Sequence, residues 1–304
     1  MNIRVETEDS ERLNSMKKRL LTSLFLATLY LGLILPALLV HPIFYDVLVL
    51  IFMFSAAYEM MNVISAKLAP PMKVCVYLNV IVTYVVFRLA NFWGQGSWGI
   101  SACFVSLLGM FVICFIYCMF TTKFGIENIM STMFILIYPL CLLTYLLALN
   151  YMGDAYRGIG IVCAFGITSL VDSMALFVGS AFKGKKLLPS VSPNKTVAGA
   201  IGGLFGGVLG GLLIYLLCYL NFANLSLFAP SSAENVLFFV VLGLGVSLAC
   251  QAGDLIASFI KRFCAVKDYS NILPGHGGFM DRIDGVMVAA IFIFAFFELY
   301  KLFA

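Results

Sequence analysis

Residues 99–119, with the sequence GISACFVSLLGMFVICFIYCM, form a run of 21 residues without one charged side chain. A helix of about 20 such residues is long enough to cross the hydrocarbon core of a lipid bilayer. The whole 304-residue chain has the same character, because 62% of its residues are apolar and only 11% are charged. A typical soluble domain has about 25% charged residues. The sequence therefore predicts an integral membrane protein.

Similar apolar runs recur along the chain and predict an all-α, polytopic membrane protein with about nine transmembrane helices. We place the helices at residues 20–40, 43–64, 73–91, 99–119, 131–150, 159–181, 197–220, 236–258 and 285–303. Residues 1–19 form a polar N-terminal tail, and residues 20–304 form a single transmembrane domain. The first run is too long for the apolar region of a signal peptide, so we expect it to be retained.

The distribution of Lys and Arg predicts the orientation in the membrane. With the N-terminus in the cytoplasm and nine spans, 16 of the 19 basic residues fall on the cytoplasmic side. Such an excess is what the positive-inside rule describes. We therefore expect the tail, residues 1–19, to be cytoplasmic.

Charge and cysteine content exclude several classes of function. The net charge of +4 is small and concentrated near membrane edges, which argues against nucleic acid as a partner. The nine cysteines are scattered and form no CxxC pair, and the chain has only two histidines. Neither a zinc site nor a disulfide framework is predicted.

Five acidic residues lie within predicted spans, where one ionised side chain costs roughly 2.5–3.5 kcal/mol at a helix centre. Asp46 and Glu298 lie near span ends, from which they can reach the membrane interface. Glu59 is compatible with either a helix–helix hydrogen bond or a role in a site. Asp172 and Asp254 lie on the cytoplasmic halves of their spans, and we favour a functional role for both.

The loop after the eighth span, SFIKRFCAVKDYSNILPGHGGFMDRID at residues 258–284, is the most informative part of the chain. If the eighth helix continues, Asp254, Ser258 and Lys261 share one face. Asp281 and Asp284 are three residues apart, so a helix there would point both carboxylates the same way. Three carboxylates with phosphate oxygens suit Mg²⁺, which prefers hard oxygen ligands. The pattern predicts a metal site formed by Asp254, Asp281 and Asp284.

The same loop carries groups suited to phosphate binding. Lys261, Arg262, Lys267 and Arg282 can neutralise phosphate charge. The Pro-Gly-His-Gly-Gly turn at 274–278 lets backbone N–H groups approach an anion closely. A basic loop that merely marks the cytoplasmic membrane edge would explain the Lys and Arg residues, but not the acids and the histidine among them.

The earlier basic loop, residues 183–196, has similar but fewer features. Ser192, Lys195 and Thr196 are candidate phosphate contacts, because the next helix begins just after them and a helix N-terminus attracts anions. An ordinary positive-inside loop is the alternative. The seventh span then carries seven glycines between Gly199 and Gly211, which predict close helix packing rather than catalysis.

Residues 258–284 closely resemble the C-terminal signature of the phosphatidate cytidylyltransferases, or CDP-diacylglycerol synthases. Asp172, Gly179 and the segment 192–196 resemble an earlier block of that family less closely, with Met174, Leu176, Ala198 and Ala257 departing from its pattern. The resemblance implies transfer of CMP from CTP to phosphatidate, releasing pyrophosphate and making CDP-diacylglycerol for phospholipid synthesis. It implies that residues 20–304 are a catalytic domain.

The resemblance also implies roles for particular residues. Asp254, Lys261, Asp281 and Asp284 would be catalytic, and the three aspartates would bind Mg²⁺, with a second cation left open. Substrate-binding residues would be Ser192, Lys195, Thr196, Ser258, Arg262, Lys267, Asp268, His276, Gly277, Gly278 and Arg282. His276 either contacts phosphate or stabilises its turn.

The expected partners are CTP, phosphatidate and membrane lipid, and a homodimer is left open. The lack of an organelle-targeting extension favours a bacterial inner membrane, with the active site facing the cytoplasm. A CTP-dependent kinase acting on a polyprenol-like lipid is the alternative enzyme, since it would need similar phosphate-binding groups. A transporter fits less well, because its charges usually lie at the midplane of repeated halves, whereas here they gather near one face.

Overall fold

The computed structural model of the chain describes residues 2–93, 97–222, 225 and 232–303. In this part of the chain, nine helices are long and apolar enough to cross a membrane. This result confirms the predicted all-α polytopic architecture and the predicted number of spans. Met1 and Ala304, the outermost residues of the two predicted domains, lie outside the described residues.

Seven of the spans are continuous helices, and two are interrupted. The continuous ones are α1 (Asn2–Leu39), α2 (Ile43–Ser65), α3 (Lys73–Trp93), α4 (Ser97–Phe120), α9 (Val197–Tyr219), α10 (Ser232–Phe263) and α11 (Met280–Phe303). The fifth span consists of α5 (Ile126–Ile135), a kinked segment (Leu136–Cys141) in which the backbone of Tyr138 is not helical, and α6 (Leu142–Leu149). The sixth consists of α7 (Asp154–Val162), a π-helical segment (Cys163–Ile167) and α8 (Thr168–Phe182).

Several helices extend beyond the predicted spans into polar sequence, among them α1, α10 and α11. Helix α1 includes the polar tail, α10 continues to Phe263 and α11 begins at Met280. Basic residues in the last turn of α10 and Asp281 in the first turn of α11 complement the helix dipoles, which favours these extensions. The candidate catalytic residues therefore lie on rigid helices rather than in loops.

The loop between α8 and α9 is a small β-hairpin, which the sequence analysis did not predict. Strands β1 (Lys186–Leu188) and β2 (Ser192–Thr196) pair antiparallel, with Lys186 opposite Thr196 and Leu188 opposite Ser192. The hairpin leads directly into α9, because the N–H of Val197 donates to the carbonyl of Lys185 at 2.9 Å. The hairpin holds the basic loop, residues 183–196, in a defined position beside the helix bundle.

The glycines of α9 allow it to pack closely between α8 and α10, as predicted. A Cβ atom added to Gly207 would lie 2.4 Å from the carbonyl oxygen of Gly243 in α10. One added to Gly206 would lie 2.7 Å from the carbonyl oxygen of Leu170 in α8. Side chains would force these backbones apart, so the glycines set the spacing of the three helices.

Gly207→Ala is expected to destabilise the protein by about 1–3 kcal/mol, because the new methyl group overlaps a backbone carbonyl that cannot rotate away. Thermal unfolding in detergent, followed by size-exclusion chromatography, measures the loss. Gly109→Ala is the matched control, since a Cβ there meets nothing within 4 Å. Equal melting temperatures for the two variants would contradict the packing role of Gly207.

Asp46 anchors a polar cluster about 20 Å along α2 from Glu59. Its carboxylate accepts hydrogen bonds from Arg88 at 3.1 Å, Asn150 at 2.8 Å and Tyr151 at 2.5 Å. Asp46 lies in the first turn of α2, near the span end as predicted, and its side chain is completely buried rather than exposed to solvent. Partners on α3 and after α6 satisfy the carboxylate instead, so this acid joins helices.

Candidate active site

Lys195, in the second strand of the hairpin, reaches across to α10 and pairs with Asp254. The ammonium and carboxylate are 2.5 Å apart, and each side chain is about 30% exposed. The hairpin therefore brings together two predicted site residues that are 59 positions apart in sequence. The pair is accessible to a ligand because neither group is fully buried.

Thr196 and Ser192 have structural places in the same hairpin. The Thr196 hydroxyl caps α9 by accepting a hydrogen bond from the N–H of Gly199 at 3.0 Å. Ser192 begins β2 and is half-buried. The cap fixes the start of α9, and so fixes the position of the neighbouring Lys195.

A cavity of about 370 Å³ lies beside this ion pair, between α8, the hairpin, α9 and α10. Its polar lining includes Asp172, Gln251 and the ion pair itself. Most of the remaining lining is apolar, with Leu176, Leu187 and Leu255 among it. The cavity thus combines charged groups at one side with apolar side chains suited to lipid.

Asp172 and Arg282 lie close to this charged side. The thiol of Cys250 contacts the Asp172 carboxylate at 3.8 Å, and Asp172 interacts electrostatically with Asp254, Lys195 and Arg282. The preference for a functional role of Asp172 thus agrees with its position in the cavity wall.

A second ion pair joins Lys261, near the end of α10, to Asp281, in the first turn of α11. The two groups are 2.6 Å apart, and their side chains are only 13% and 6% exposed. The other Asp281 oxygen accepts hydrogen bonds from the backbone N–H groups of Tyr269 at 3.0 Å and Gly278 at 2.9 Å. Asp281 therefore holds the loop between α10 and α11 as well as the lysine.

Tyr269 contacts the lysine of this second pair. Its ring lies 5.3 Å from the Lys261 ammonium, a cation–π distance, and its hydroxyl donates to the carbonyl of Ala257 at 3.1 Å. Burial raises the pKa of Tyr269, so the phenol stays neutral and remains a hydrogen-bond donor. The sequence analysis did not identify this residue, because a tyrosine in a loop carries no distinctive pattern.

Asp284 lies one turn after Asp281 but has different surroundings. It is 7% exposed, accepts a hydrogen bond from the N–H of Gly285 at 2.8 Å, and interacts electrostatically with Asp254. Among the described residues, no three carboxylate, His or Cys side chains are already arranged as a metal site. The predicted ligands Asp254, Asp281 and Asp284 thus lie in one region without forming a closed cage.

The remaining predicted residues at the end of α10 surround this region. Ser258 is half-buried one turn after Asp254, and Lys267 and Asp268 are exposed in the following loop. Arg262 donates to the carbonyl of Val191 at 3.3 Å, linking α10 to the tip of the hairpin. The predicted continuation of α10 through Lys261 is confirmed.

The Pro-Gly-His-Gly-Gly segment forms a tight turn closed by a hydrogen bond of 2.9 Å from the N–H of Leu273 to the carbonyl of Gly277. Gly275 and Gly277 have φ values of 78° and 81°, which favour glycine. Arg282 donates to the carbonyl of His276 at 3.0 Å and so braces the turn. These contacts give the turn a rigid backbone.

Helix α1 also contacts this turn, which the sequence did not reveal. The Thr22 hydroxyl donates to the carbonyl of Pro274 at 3.0 Å, and the Ser23 hydroxyl lies 3.2 Å from Nε2 of His276. No local pattern signals contacts between residues more than 250 positions apart. The first span is therefore part of the support of the site.

Glu59 is the other residue that the sequence left open. Its carboxylate in α2 accepts hydrogen bonds from the Ser270 hydroxyl at 2.6 Å and from the N–H groups of Phe279 at 2.9 Å and Met280 at 2.8 Å. It thus contacts the middle of the α10–α11 loop at Ser270 and the start of α11.

Comparison with known proteins agrees with this arrangement. The sequence profile of the Cytidylyltransferase family matches residues 17–300. A phosphatidate cytidylyltransferase of Rickettsia felis is 31% identical over 222 residues, which cover 72% of this chain and 91% of the relative.

Two further relatives carry the same name. The protein of Brucella abortus biovar 1 is 41% identical over 136 residues, covering 45% of this chain and 46% of the relative. The protein of Aquifex aeolicus is 31% identical over 184 residues, covering 60% of this chain and 61% of the relative. With a match across almost its whole length, the chain belongs to the cytidylyltransferase family.

Proposed function

We propose that the protein transfers CMP from CTP to phosphatidate, giving CDP-diacylglycerol and pyrophosphate. The observation that carries this proposal is the Lys195–Asp254 contact in the wall of a largely apolar cavity, together with a second contact of the same kind, Lys261–Asp281, between α10 and α11. A nucleotide triphosphate needs cations and carboxylates, and a lipid needs apolar surface. The names of the relatives support the same reaction.

The proposed chemistry needs alignment more than proton transfer. A phosphate oxygen of phosphatidate attacks the α-phosphorus of CTP, and the bond from that phosphorus to the oxygen bridging to the β-phosphorus breaks. A phosphomonoester is already largely ionised near neutral pH, with a second pKa of about 6, so no strong general base is required. Catalysis then depends on holding two anionic substrates together and stabilising charge in the transition state.

The basic residues would supply most of that stabilisation. Lys195, Lys261 and Arg262 are each held in position by a hydrogen bond to the hairpin, α10 or α11. We propose that they bind the CTP phosphates together with the exposed Lys267 and with Arg282. Both lysines pair with aspartates, so binding of a triphosphate would replace carboxylate contacts with phosphate contacts.

The aspartates fit a Mg²⁺ ion by their chemistry. We propose that Asp254, Asp281 and Asp284 would hold it, since carboxylate oxygens are the donors that Mg²⁺ prefers. Proteins often bind Mg²⁺ through only one or two carboxylates plus substrate phosphates, so the open arrangement suits this role. Bound there, the ion would neutralise phosphate charge.

Phosphatidate would approach through the cavity wall formed by α8. Leu176 lines the cavity and is 75% exposed, so it offers apolar surface to a lipid. A phosphate group entering the cavity would meet Lys195, while the acyl chains stayed in the apolar surroundings.

The orientation belongs to the same proposal. The protein is a membrane protein, and we place the site on the cytoplasmic side of a bacterial inner membrane. The basic residues of the hairpin and of the α10–α11 loop support this assignment through the positive-inside rule. CTP is then available to the site from the cytoplasm.

A direct assay tests the reaction. Purified protein is incubated with phosphatidate, Mg²⁺ and CTP labelled in the cytosine ring, and the products are separated by thin-layer chromatography. We expect a lipid that carries the label, released together with unlabelled pyrophosphate. Labelled CDP with a phosphorylated polyprenol, when that alcohol is supplied, would contradict the proposal and identify a lipid kinase instead.

A further inference from the structure

Glu59 lies in the middle of the protein without contact with solvent. Its exposed fraction is 0%, and its neighbours in α2 include the buried Met60 and Met61. A carboxylate in such surroundings is expensive to desolvate unless hydrogen-bond donors satisfy it. Three donors do so here, and all three belong to residues 270–280 of the signature loop and α11.

Two of the three donors to Glu59 are backbone N–H groups at the start of α11. The N–H groups of Phe279 and Met280 are at the start of α11, where backbone N–H groups have no partner within the helix. A negative charge at this end also interacts favourably with the helix dipole. Glu59 therefore acts as an N-terminal cap of α11 that is supplied by another helix, more than 200 residues away in sequence.

Gly278 shows how closely the loop fits the carboxylate. A Cβ atom added there would lie 2.5 Å and 2.6 Å from the two Glu59 oxygens. The N–H of Gly278 meanwhile donates to Asp281. The backbone of Gly278 thus lies between two carboxylates, one on α2 and one on α11.

Together the two carboxylates hold the middle of the α10–α11 loop and its junction with α11. Asp281 accepts the N–H groups of Tyr269 and Gly278, and Glu59 accepts the Ser270 hydroxyl and the first N–H groups of α11. Movement of the first turn of α11 would shift Asp281 and, through the ion pair, Lys261. The position of the nucleotide-binding side of the site therefore depends on Glu59.

We propose that Glu59 is a positioning residue for CTP binding: it touches no substrate, and it fixes the start of α11 so that Asp281 and Lys261 stay aligned. The inference rests on the proposed function, since it assigns Lys261 to the CTP phosphates. The apolar cavity lies between α8, α9 and α10 and does not include Glu59. A substitution of Glu59 should therefore weaken the binding of CTP but not that of phosphatidate.

Glu59→Gln is the primary test, because it preserves size while replacing one acceptor oxygen with an NH₂ group that faces a donor. One buried donor loses its partner, and we expect the KM for CTP to rise about tenfold with a lower kcat. The KM for phosphatidate should stay within twofold of the wild-type value. Steady-state kinetics with each substrate varied in turn measure both constants.

Glu298→Gln is the matched control. Its carboxylate pairs with Lys301 at 2.7 Å, and both side chains are partly exposed near the far end of α11. Neither kinetic constant should change in this variant, since an exposed ion pair contributes little.

Two further measurements separate positioning from loss of folded protein. A variant that only unfolds would show a lower apparent kcat with both KM values unchanged, and this result would overturn the proposal. Ser270→Ala removes one donor to Glu59 without disturbing the helix, and it decides the matter if Glu59→Gln does not fold. We expect it to raise the KM for CTP in the same direction by a smaller factor, whereas no change would overturn the proposal.

A binding measurement distinguishes failure of this inference from failure of the proposed reaction. Mg²⁺ and CTP, added without lipid, should raise the melting temperature of the wild-type protein and should need a higher CTP concentration to do so in Glu59→Gln. If wild-type protein makes no CDP-diacylglycerol but this difference persists, the reaction is wrong and the role of Glu59 stands. Equal CTP dependence in both proteins would contradict the role of Glu59.

Discussion

Asp254→Asn is expected to lower the rate of CDP-diacylglycerol formation by about 10²–10³-fold, the effect typical of removing one electrostatic contact in a transition state. The protein should remain as stable as wild type, because the ion pair of Asp254 is with the partly exposed Lys195. Loss of such a pair costs about 0–1 kcal/mol. Product formation by thin-layer chromatography and melting in detergent measure the two effects.

The proposed requirement for Mg²⁺ provides a second measurement on the same variant. If Asp254 binds the metal, the Mg²⁺ concentration that gives half-maximal activity should rise in Asp254→Asn. Glu127→Gln, at an exposed position in the first turn of α5, is the control and should behave as wild type. Wild-type turnover by Asp254→Asn would contradict both the metal role and the assignment of the site.

Asp281→Asn is expected to lose activity to a similar extent and, in addition, to lose about 3–5 kcal/mol of stability. Breaking a buried ion pair leaves an uncompensated charge, here that of Lys261, which is only 13% exposed. The same carboxylate also accepts two backbone N–H groups of the α10–α11 loop. Thermal unfolding in detergent measures the loss.

Comparison with Asp254→Asn makes this prediction specific. The two aspartates carry the same charge and belong to the same predicted metal site, yet their side chains are about 30% and 6% exposed. Only the more buried one should affect stability. Equal melting temperatures for the two variants would show that the loop does not depend on Asp281.

Much of the site was predictable because it is encoded over short distances. Helical periodicity places Asp254, Ser258 and Lys261 on one face of α10, and the structure confirms that this helix continues through Lys261. Periodicity also places Asp281 and Asp284 in the same helix. It did not predict their separate partners, since Asp281 faces Lys261 and the loop whereas Asp284 is enclosed at the helix start.

Several of the unpredicted contacts join segments that are far apart in sequence. Glu59 caps a helix more than 200 residues later, and Thr22 contacts Pro274. Their residue types did not indicate these contacts, because a Glu or Thr in an apolar helix can form hydrogen bonds of several kinds. Only the packing of α1 and α2 against residues 264–280 shows which hydrogen bonds they form.

Taken alone, the sequence determined the membrane class and the nine apolar helices of the described residues, and it identified the segments proposed to carry the chemistry. These properties depend on composition and on the direction of side chains within one helix. The tertiary structure decided which lysine meets which aspartate and which carboxylate holds the loop. Those pairings depend on how closely the helices approach one another. The glycines of α9 permit a close approach, but their spacing does not specify which backbone each glycine meets.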